Sequence, residues 1–310
     1  MRSFHLAAEQ RHLVWDNSIA PAVTVAPGDE ITLELRDSSG DQLSRDDDDA
    51  AVARLDMAEV NPCTGPVHVV GAAPGDELVV TIFDIAVRDW AWTANIPHFG
   101  LLAADFPDPA LRISTIRDGL VTLPSGVEIP ARPMIGTIGV APGTPGPAPL
   151  LVPTTSGGNM DIAQVNAGTA LHLPVAVPGA LFSAGDAHSV QGDGEVCGTG
   201  AETAATLHVR LELRTGAGTP SPWYEWEEHA GRRAAPDGAR WVATTGIGPD
   251  LFAAAVEATR RAVDLVAART TLAPIDAYLL LSLVGELRAS EIVDAPNWVV
   301  SMHVPARYVG

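Results

Sequence analysis

The 310-residue chain contains no lysine, so all 19 of its basic residues are arginines. A Walker P-loop needs a lysine to bind phosphate. Schiff-base chemistry, pyridoxal phosphate attachment and the lysine-dependent serine or cysteine amidase triads each need a lysine amine. The sequence therefore excludes all of these mechanisms.

Positive charge is scarce as well, since 38 Asp and Glu residues stand against 19 basic residues and give a net charge of -19. Charge of this sign repels nucleic-acid phosphates and anionic lipid surfaces. No apolar run approaches the about 20 residues that a membrane-spanning helix needs. We therefore expect neither nucleic acid nor a membrane as a partner.

Cysteine occurs only twice, at Cys63 and Cys197. The first residues of the chain lack the apolar core of a signal peptide, so we expect a cytoplasmic protein with free thiols. Two cysteines are too few for a structural zinc site of their own. The nine histidines leave mixed metal sites open.

Glycine and proline are abundant, with 29 and 25 copies, which favours turns and short strands over long helices. Strict alternation of apolar and polar residues predicts a half-buried strand over residues 206–213. Apolar residues at helical spacing predict a helix over residues 250–269, and a second over 275–283. The sequence predicts a mostly β, sandwich-like or barrel-like fold with a small α+β element at its C-terminal end.

A stretch rich in proline and glycine, residues 141–149, follows a strand-like segment at residues 135–140. This stretch predicts a boundary between an N-terminal β-rich domain, residues 1–145, and a C-terminal β-rich domain, residues 146–310, which would hold the site motifs and both helices. A rigid surface loop is the alternative. The acidic run at residues 46–49 predicts an exposed loop rather than a calcium site.

No arginine occurs between Pro133 and Val209, although this segment carries five acids. Burying a carboxylate without a counter-charge costs several kcal/mol, so such acids are exposed, protonated, paired with a distant arginine or bound to a cation. Their short, glycine-flanked spacing favours the cation. The five acids are Asp161, Asp186, Asp193, Glu195 and Glu202.

Two pairs of these residues, Asp186 with His188 and Asp193 with Glu195, are two positions apart and share one face if the chain is extended there. Mixed carboxylate and imidazole ligands suit zinc or another first-row divalent metal, whereas oxygen ligands alone suit calcium or magnesium. Residue types alone do not choose between them. Glu202 is a candidate general base, or a residue that orients a ligand.

Five runs of sequence resemble motifs of the acetamidase/formamidase family, in one order along nearly the whole chain. The resemblance implies a mostly β fold, an associated divalent metal, and hydrolysis of short aliphatic amides to a carboxylic acid and ammonia. It implies that the metal lies near Asp161, His188 and Glu195. The five runs are residues 61–67, 132–142, 157–161, 178–188 and 191–199.

On this basis we expect a small amide substrate and a metal-activated water, with zinc as the metal and calcium or another divalent ion as alternatives. Glu195 or Glu202 is the expected proton carrier, and Asn159 the expected ligand of the tetrahedral oxyanion. The aromatic residues Trp92, His98 and Phe99 are expected to line the substrate pocket.

Two positions, Ser156 and His98, depart from the family pattern and raise the possibility of a different pocket. Two other functions stay open from the sequence. One is a cysteine mechanism, with Cys197 activated by His188 or Glu195. The other is a non-catalytic, metal-stabilised β module that binds a small molecule. A homo-oligomer, with a dimer favoured, is expected for either function.

Overall fold

The computed structural model describes residues 1–227 and 240–309, and every structural statement below concerns these residues. Three α-helices occur there: α1 (Asp49–Val52), α2 (Leu251–Arg269) and α3 (Pro274–Val284). The strands are β1 (Ser3–Leu6), β2 (Arg11–His12), β3 (Val14–Trp15), β4 (Val23–Val25), β5 (Glu30–Leu35), β6 (Cys63–Val69), β7 (Glu77–Val87), β8 (Trp90–Asn95), β9 (Ala110–Arg117), β10 (Leu120–Thr122), β11 (Glu128–Pro130), β12 (Met134–Val140), β13 (Ala148–Pro149), β14 (Gly157–Asn159), β15 (Ala170–Pro174), β16 (Phe182–His188), β17 (Glu202–Thr203), β18 (Ala205–Arg214), β19 (Trp223–Glu227), β20 (Arg240–Gly248), β21 (Glu286–Glu291) and β22 (Trp298–Pro305).

These strands form two large sheets and a small one made of β3 and β13, so the predicted mostly β fold is confirmed. The first sheet has the order β1-β5-β18-β7-β15-β19-β20-β22-β21. The second has the order β11-β10-β9-β8-β17-β16-β12-β14, and β6 joins it by pairing with β16, β2 and β4. The pairs β1–β5 and β4–β6 are parallel, and the neighbouring strands along both sheet orders are otherwise antiparallel.

The two large sheets share one apolar core, which is the arrangement of a β-sandwich. Leu33 and Leu207 of the first sheet belong to the same buried cluster as Ile138 and Phe182 of the second. Along β18 the apolar residues Leu207, Val209 and Leu211 are buried and alternate with more exposed polar residues. This is the strand that the alternating pattern predicted.

Strands from the two halves of the chain alternate within each sheet. β18 lies between β5 and β7, and β16 lies between β12 and β6. The predicted division into residues 1–145 and 146–310 therefore does not coincide with a division of the sheets or of the core. A stretch rich in proline and glycine indicates a turn or loop. Such a loop can connect two strands of one sandwich as well as two domains, so the composition alone does not locate a domain boundary.

Helix α2 lies against β20 and β22 and confirms the predicted helix. Asp250 caps it, since its carboxylate accepts a 2.7 Å hydrogen bond from the Ala253 amide. The buried face consists mainly of small residues at every fourth position, whereas Leu251 and Val256 are exposed. Small side chains let the helix lie close to the sheet. The buried residues are Ala254, Ala258, Ala262 and Val266.

Helix α3 occupies the place predicted for the second helix and packs on the same apolar cluster through Ala277 and Leu281. In the described part of the chain no single helix has both the length and the apolar composition to cross a membrane. Helices α2 and α3 reach these values only when taken together, and they meet at a bend of 117°. The acidic run at residues 46–49 is largely exposed, and its last residue begins α1.

Candidate functional site

Strand β16 carries the centre of the site at its C-terminal end. Asp186 and His188 project from the same face, as their spacing predicts, and His188 Nε2 lies 3.1 Å from Asp186 Oδ1. Both side chains are buried within the second sheet. A buried imidazole beside a buried carboxylate supplies two of the ligand types that divalent metals prefer.

Strand β17 places Glu202 directly opposite His188, because the two residues are partners in the β16–β17 register. Glu202 Oε2 lies 3.1 Å from His188 Nε2 and accepts a 2.6 Å hydrogen bond from Ser38 Oγ. Glu202 Oε1 accepts a 2.7 Å hydrogen bond from the Gly200 amide. Both oxygens of Glu202 are thus held in place by donors of this chain.

Asp161 and Glu195 reach the same place from turns, in which both residues have left-handed backbone conformations with φ of 42° and 43°. Asp161 Oδ1 lies 3.8 Å from His188 Nε2, and Glu195 Oε1 lies 3.9 Å from His188 Nδ1. Both carboxylate oxygens of Asp161 are buried and have no hydrogen-bond partner among the described residues. An unpaired buried carboxylate is costly, and a cation removes that cost.

Asp294 completes the cluster, although the sequence did not single it out. Its carboxylate lies within 4.8 Å of ligand atoms of Asp161 and Glu195. Asp294 lies 92 residues beyond Glu202, outside the arginine-free segment that drew attention to the other acids. A signal in the sequence that could have found it is Glu291, a second acid three positions before it.

Burial raises the pKa of four of the five clustered carboxyls, and the neighbouring acids add to this effect. The pKa of Asp161 is raised well above its ordinary range by burial and by Asp186 and Asp294. Burial and Asp161 raise the pKa of Glu195 well above its ordinary value. Burial and Glu291 raise the pKa of Asp294 in the same direction. The pKa of Glu202 is raised by burial, against the effect of His188.

His188 and Asp186 shift in the directions expected of an ion pair. Burial opposes the charged form of each, but their attraction outweighs it. Glu202 and Asp186 thus raise the pKa of His188 well above its usual value, and His188 lowers the pKa of Asp186. One imidazolium cannot balance five carboxylates, so the cluster is held either by protons or by a cation.

The residues present fit a divalent metal. Three overlapping sets of three side chains place their ligand atoms within 4.8 Å of one another, and every member is buried. The mixed carboxylate and imidazole donors suit a first-row divalent ion. Gly136 makes room for them, since a Cβ at this position would lie 2.5 Å from Asp186 Oδ2 and would also overlap Asp161. The three sets are Asp161, Asp186 and His188; His188, Glu195 and Glu202; and Asp161, Glu195 and Asp294.

A small cavity of about 60 Å³ opens onto this cluster. Its polar side is formed by Asp161, Asp186, Glu195, Glu202 and Asp294. Its apolar side is formed by Leu55, Met57, Val60, Trp92, Ile96, Phe99 and Leu151.

Trp92 and Phe99, two of the three aromatic residues predicted to bind substrate, line this cavity. His98, the third aromatic residue of that prediction, is exposed and does not line the cavity. Its left-handed backbone, with φ of 68°, belongs to the turn after β8.

Asn159 lines the cavity, but its side chain is engaged within the protein. Its Nδ2 donates a 2.5 Å hydrogen bond to Asp294 Oδ2, and its Oδ1 accepts hydrogen bonds from Asn61 and Thr137. The arrangement makes Asn159 a residue that positions Asp294. One N–H of its amide is therefore committed and unavailable to an oxyanion.

Two further candidates lie apart from the cluster. Asp193 accepts a 2.9 Å hydrogen bond from Gln164 and lies 3.8 Å from Arg288, a distant basic partner. It does not share a strand face with Glu195, because this segment forms turns rather than a strand. Cys197 Sγ lies 3.3 Å from the Thr199 carbonyl oxygen, and Cys197 lines a larger cavity whose wall also includes Glu195. Both cysteines are free thiols, as expected.

Comparison with known proteins identifies the group to which this site belongs. The family model described as "Acetamidase/Formamidase family" matches residues 2–149 and 147–308. The chain belongs to this family. The resemblance of the five sequence motifs is thereby confirmed.

Individual members of the acetamidase/formamidase family agree with this assignment. The chain is 28% identical over 268 residues to an acetamidase of Mycolicibacterium smegmatis, covering 66% of each protein. It is 27% identical over 260 residues to a formamidase of Methylophilus methylotrophus, covering 66% of this chain and 64% of the relative. The matches thus span slightly less than two thirds of these relatives.

The similarity in fold to solved structures extends over more of the chain than the sequence matches do. The crystal structure of an acetamidase from Bacillus halodurans superposes on the chain with a TM-score of 0.90 and 31% identity, covering 98% of both chains. The sandwich and its C-terminal helices are therefore features that the chain shares with an acetamidase of known structure.

Proposed function

We propose that the chain is an amidohydrolase that cleaves the C–N bond of a short aliphatic amide, of the acetamide or formamide type, to a carboxylate and ammonia. The observation that carries the proposal is the buried cluster of five carboxyls around His188, because all five carboxyls line a small cavity that also has apolar residues in its wall. Membership of the acetamidase/formamidase family supports the same reaction.

The size and charge of the cavity suit a small, neutral substrate. A water molecule needs about 10–15 Å³ of such space, so about 60 Å³ admits a ligand of roughly four or five heavy atoms. No arginine lines the cavity within the described part of the chain, and five acids do. An uncharged amide is accepted under these conditions, whereas the carboxylate product is repelled by the acids.

We propose a divalent cation, with zinc as the metal, held by Asp161, Asp186 and His188. When bound, this cation supplies Lewis acidity that polarises the amide carbonyl and favours the hydroxide form of water. Asp161 is the strongest of these candidates, because both of its buried oxygens lack partners among the described residues. Glu202 stays fixed by Ser38 and Gly200 and keeps His188 in position.

Glu195 is the proposed general base. Unlike Glu202, it accepts no hydrogen bond from the described residues, and it lines the cavity where a substrate lies. Burial and Asp161 raise its pKa, so that it takes and releases protons more readily than an exposed carboxylate does near neutral pH. Glu195 removes a proton from the attacking water and delivers it to the amide nitrogen. The C–N bond then breaks, and ammonia leaves.

The cysteine mechanism has less support from the geometry. Cys197 shares the larger cavity with Glu195, but its Sγ contacts Thr199 and makes no hydrogen bond to the acid cluster within the described part of the chain. A nucleophile's loss costs orders of magnitude in rate. Cys197→Ala is therefore expected to retain activity, and a loss of several orders of magnitude would favour the thiol over activated water.

The decisive experiment measures ammonia release from formamide, acetamide, propionamide and urea. The protein is stripped with a chelator and reloaded singly with zinc, calcium, magnesium or manganese. We expect activity to vanish with the metal and to return with one ion. Saturable binding without ammonia release from any amide would instead indicate a non-catalytic, metal-stabilised module.

The role of Glu195 is tested by Glu195→Gln, which keeps the shape of the side chain. We expect unchanged metal content and a loss of about 10²- to 10⁴-fold in kcat, the usual contribution of a general base. Loss of metal would make Glu195 a ligand, and full activity would remove it from both roles.

A cytoplasmic location, a homodimer and the lack of nucleic-acid or membrane partners stay predictions from the sequence.

A further inference from the structure

Asn61 stands at the wall of the small cavity, two residues before β6. Its side chain is 1% exposed, and it is one of the residues that line the cavity. The backbone is left-handed, with φ of 58°, and its amide donates a 2.6 Å hydrogen bond to the Ser38 carbonyl. Asparagine tolerates this conformation better than most residues, so the side chain is held in one place at low cost.

A chain of hydrogen bonds fixes which end of the Asn61 amide faces the protein. Asp294 Oδ2 accepts from Asn159 Nδ2, so Asn159 turns its Oδ1 the other way. That oxygen accepts a 2.9 Å hydrogen bond from Asn61 Nδ2, which also lies 3.0 Å from Thr137 Oγ1. When Asp294 is ionised, as it is beside the proposed cation, its oxygen can only accept, so the hydrogen-bond order starts at Asp294 and orients the amides of Asn159 and Asn61.

The result is a buried acceptor that this chain does not use. Asn61 Oδ1 has no hydrogen-bond partner among the described residues, although it is shielded from solvent. An acceptor left in this state lowers the stability of the protein, because it has lost its hydrogen bonds to water. A donor brought into the cavity by a ligand removes that cost.

We infer that Asn61 Oδ1 accepts a hydrogen bond from the N–H group of the substrate and so selects a carboxamide over an ester or a ketone of the same size. This inference rests on the proposed amide hydrolysis and concerns recognition, since Asn61 takes no part in bond breaking. A site that hydrogen-bonds an N–H rejects an analogue without it, because its own polar atom is then left unpaired.

The experiment compares acetamide with methyl acetate, which carry the same acyl group and both yield acetate. Asn61→Gly removes the side chain and tolerates the positive φ. We expect the ratio of kcat/KM for acetamide to that for methyl acetate to fall about tenfold or more, the effect of one hydrogen bond of about 1.4 kcal/mol. Ser221→Ala is the control. It removes a buried hydroxyl that is bonded to Thr245 outside this hydrogen-bond chain and is expected to leave the ratio unchanged.

Binding provides a second measurement that does not depend on turnover. Acetone has the shape of acetamide but no N–H, so titrations of both followed by NMR should show that wild type prefers acetamide and that Asn61→Gly does not. Wild-type protein that hydrolyses neither substrate would contradict the proposed function, while the binding preference would still decide the role of Asn61. Equal losses for both substrates, an unchanged preference, or loss of bound metal in Asn61→Gly would each overturn the inference.

Discussion

Ser38 Oγ donates a 2.6 Å hydrogen bond to Glu202 Oε2, although the two residues are 164 positions apart in the sequence. The Gly200 amide donates to the other oxygen of the same carboxylate. Hydrogen bonds to a charged group are worth about 1.5–3 kcal/mol, more than those between neutral groups. Ser38 therefore stabilises the ionised form of Glu202 beside His188, and with it the side chains that surround the proposed metal.

Ser38→Ala is expected to weaken metal binding about 10- to 100-fold, as is usual when a residue that orients a ligand is removed. Metal titration of the chelator-treated protein measures the effect. Ser221→Ala, which removes a buried hydroxyl bonded to Thr245 in another part of the fold, is the matched control and should bind metal normally. Equal affinity in the Ser38 variant and wild type would show that Gly200 alone suffices to hold Glu202.

Gly136→Ala is expected to abolish metal binding and activity while the protein stays folded. A Cβ there would overlap the Asp161 carboxylate and lie 2.5 Å from Asp186 Oδ2, so both ligands must move. Gly192→Ala is the control, because a Cβ at Gly192 meets nothing within 4 Å. Metal content and circular dichroism together decide the outcome. Normal metal content in Gly136→Ala would place the ion elsewhere.

Gly246→Ala is expected to destabilise the fold without a direct effect on the site. A Cβ at this position of β20 would overlap the Ala254 carbonyl and lie 2.8 Å from the Ala258 amide, so α2 must shift away from the sheet. Overpacking of this kind costs about 1–3 kcal/mol. Denaturant unfolding measures it, with Gly248→Ala as the control, since a Cβ at Gly248 meets no atom within 4 Å. Similar stability of both variants would refute the tight helix–sheet contact.

The folded protein is expected to lose stability in acid because of the buried residue Glu77. Burial alone raises the pKa of Glu77, but hydrogen bonds from His172, Thr219 and Trp223 outweigh it and lower the pKa from 4.5 to about 2. The ionised Glu77 therefore stabilises the folded state fully above pH 4.5, and this contribution disappears as the pH falls towards 2. At 1.36 kcal/mol per unit of pKa shift, the contribution of Glu77 to the free energy of unfolding is about 3 kcal/mol.

Glu77→Gln is the variant that tests this, with the free energy of unfolding measured between pH 7 and 2. We expect the difference from wild type to shrink only below pH 4.5. His172 also contributes a loss of stability, but at higher pH. Burial lowers its pKa below 6.5, so the unfolded chain takes up a proton before the folded protein does, and this destabilises the fold as the pH falls below 6.5. A difference between Glu77→Gln and wild type that does not change with pH would contradict the role of Glu77.

Phe99→Ala is expected to enlarge the cavity and to shift the preference from acetamide towards longer amides such as butyramide. Phe99 lines the cavity and packs on Gly198, where any Cβ would overlap its ring. The rate constants kcat/KM for a series of linear amides measure the shift. His98→Ala should leave the series unchanged, because His98 is exposed and lies outside the cavity wall. If His98→Ala also changes the relative kcat/KM values for the linear amides, His98 contributes to the substrate pocket after all.

Much of the site was predictable because its residues carry local signals. Asp186 and His188 share a strand face by their spacing, and the absence of arginine around them identifies acids that lack a partner. The same reasoning placed Asp193 with them, wrongly in geometry, because glycine-rich turns follow no fixed period and the spacing rule applies only to an extended strand. His98 was grouped with Trp92 and Phe99 by residue type, but the turn after β8 directs it outwards.

Asp294, Ser38 and Asn61 could not be found in this way. Each comes from a distant part of the chain and reaches the cluster only in the folded protein. Asn61 begins one of the five runs that resemble the family, but nothing in the sequence assigns a role to its side chain. The role of Asn159 depended on folding in the same way, since its amide is committed to Asp294 only in the folded protein.

The sequence by itself determined the mostly β fold, the two C-terminal helices, the family, and the segment that carries the acids, because periodicity, turn composition and missing counter-charge act over short distances. Only the tertiary structure decided which donors hold Glu202, that both oxygens of Asp161 stay unpaired, and which way the Asn61 amide faces. These properties depend on hydrogen bonds between residues that are far apart in the chain, and a hydrogen bond requires both partners to be within about 3 Å.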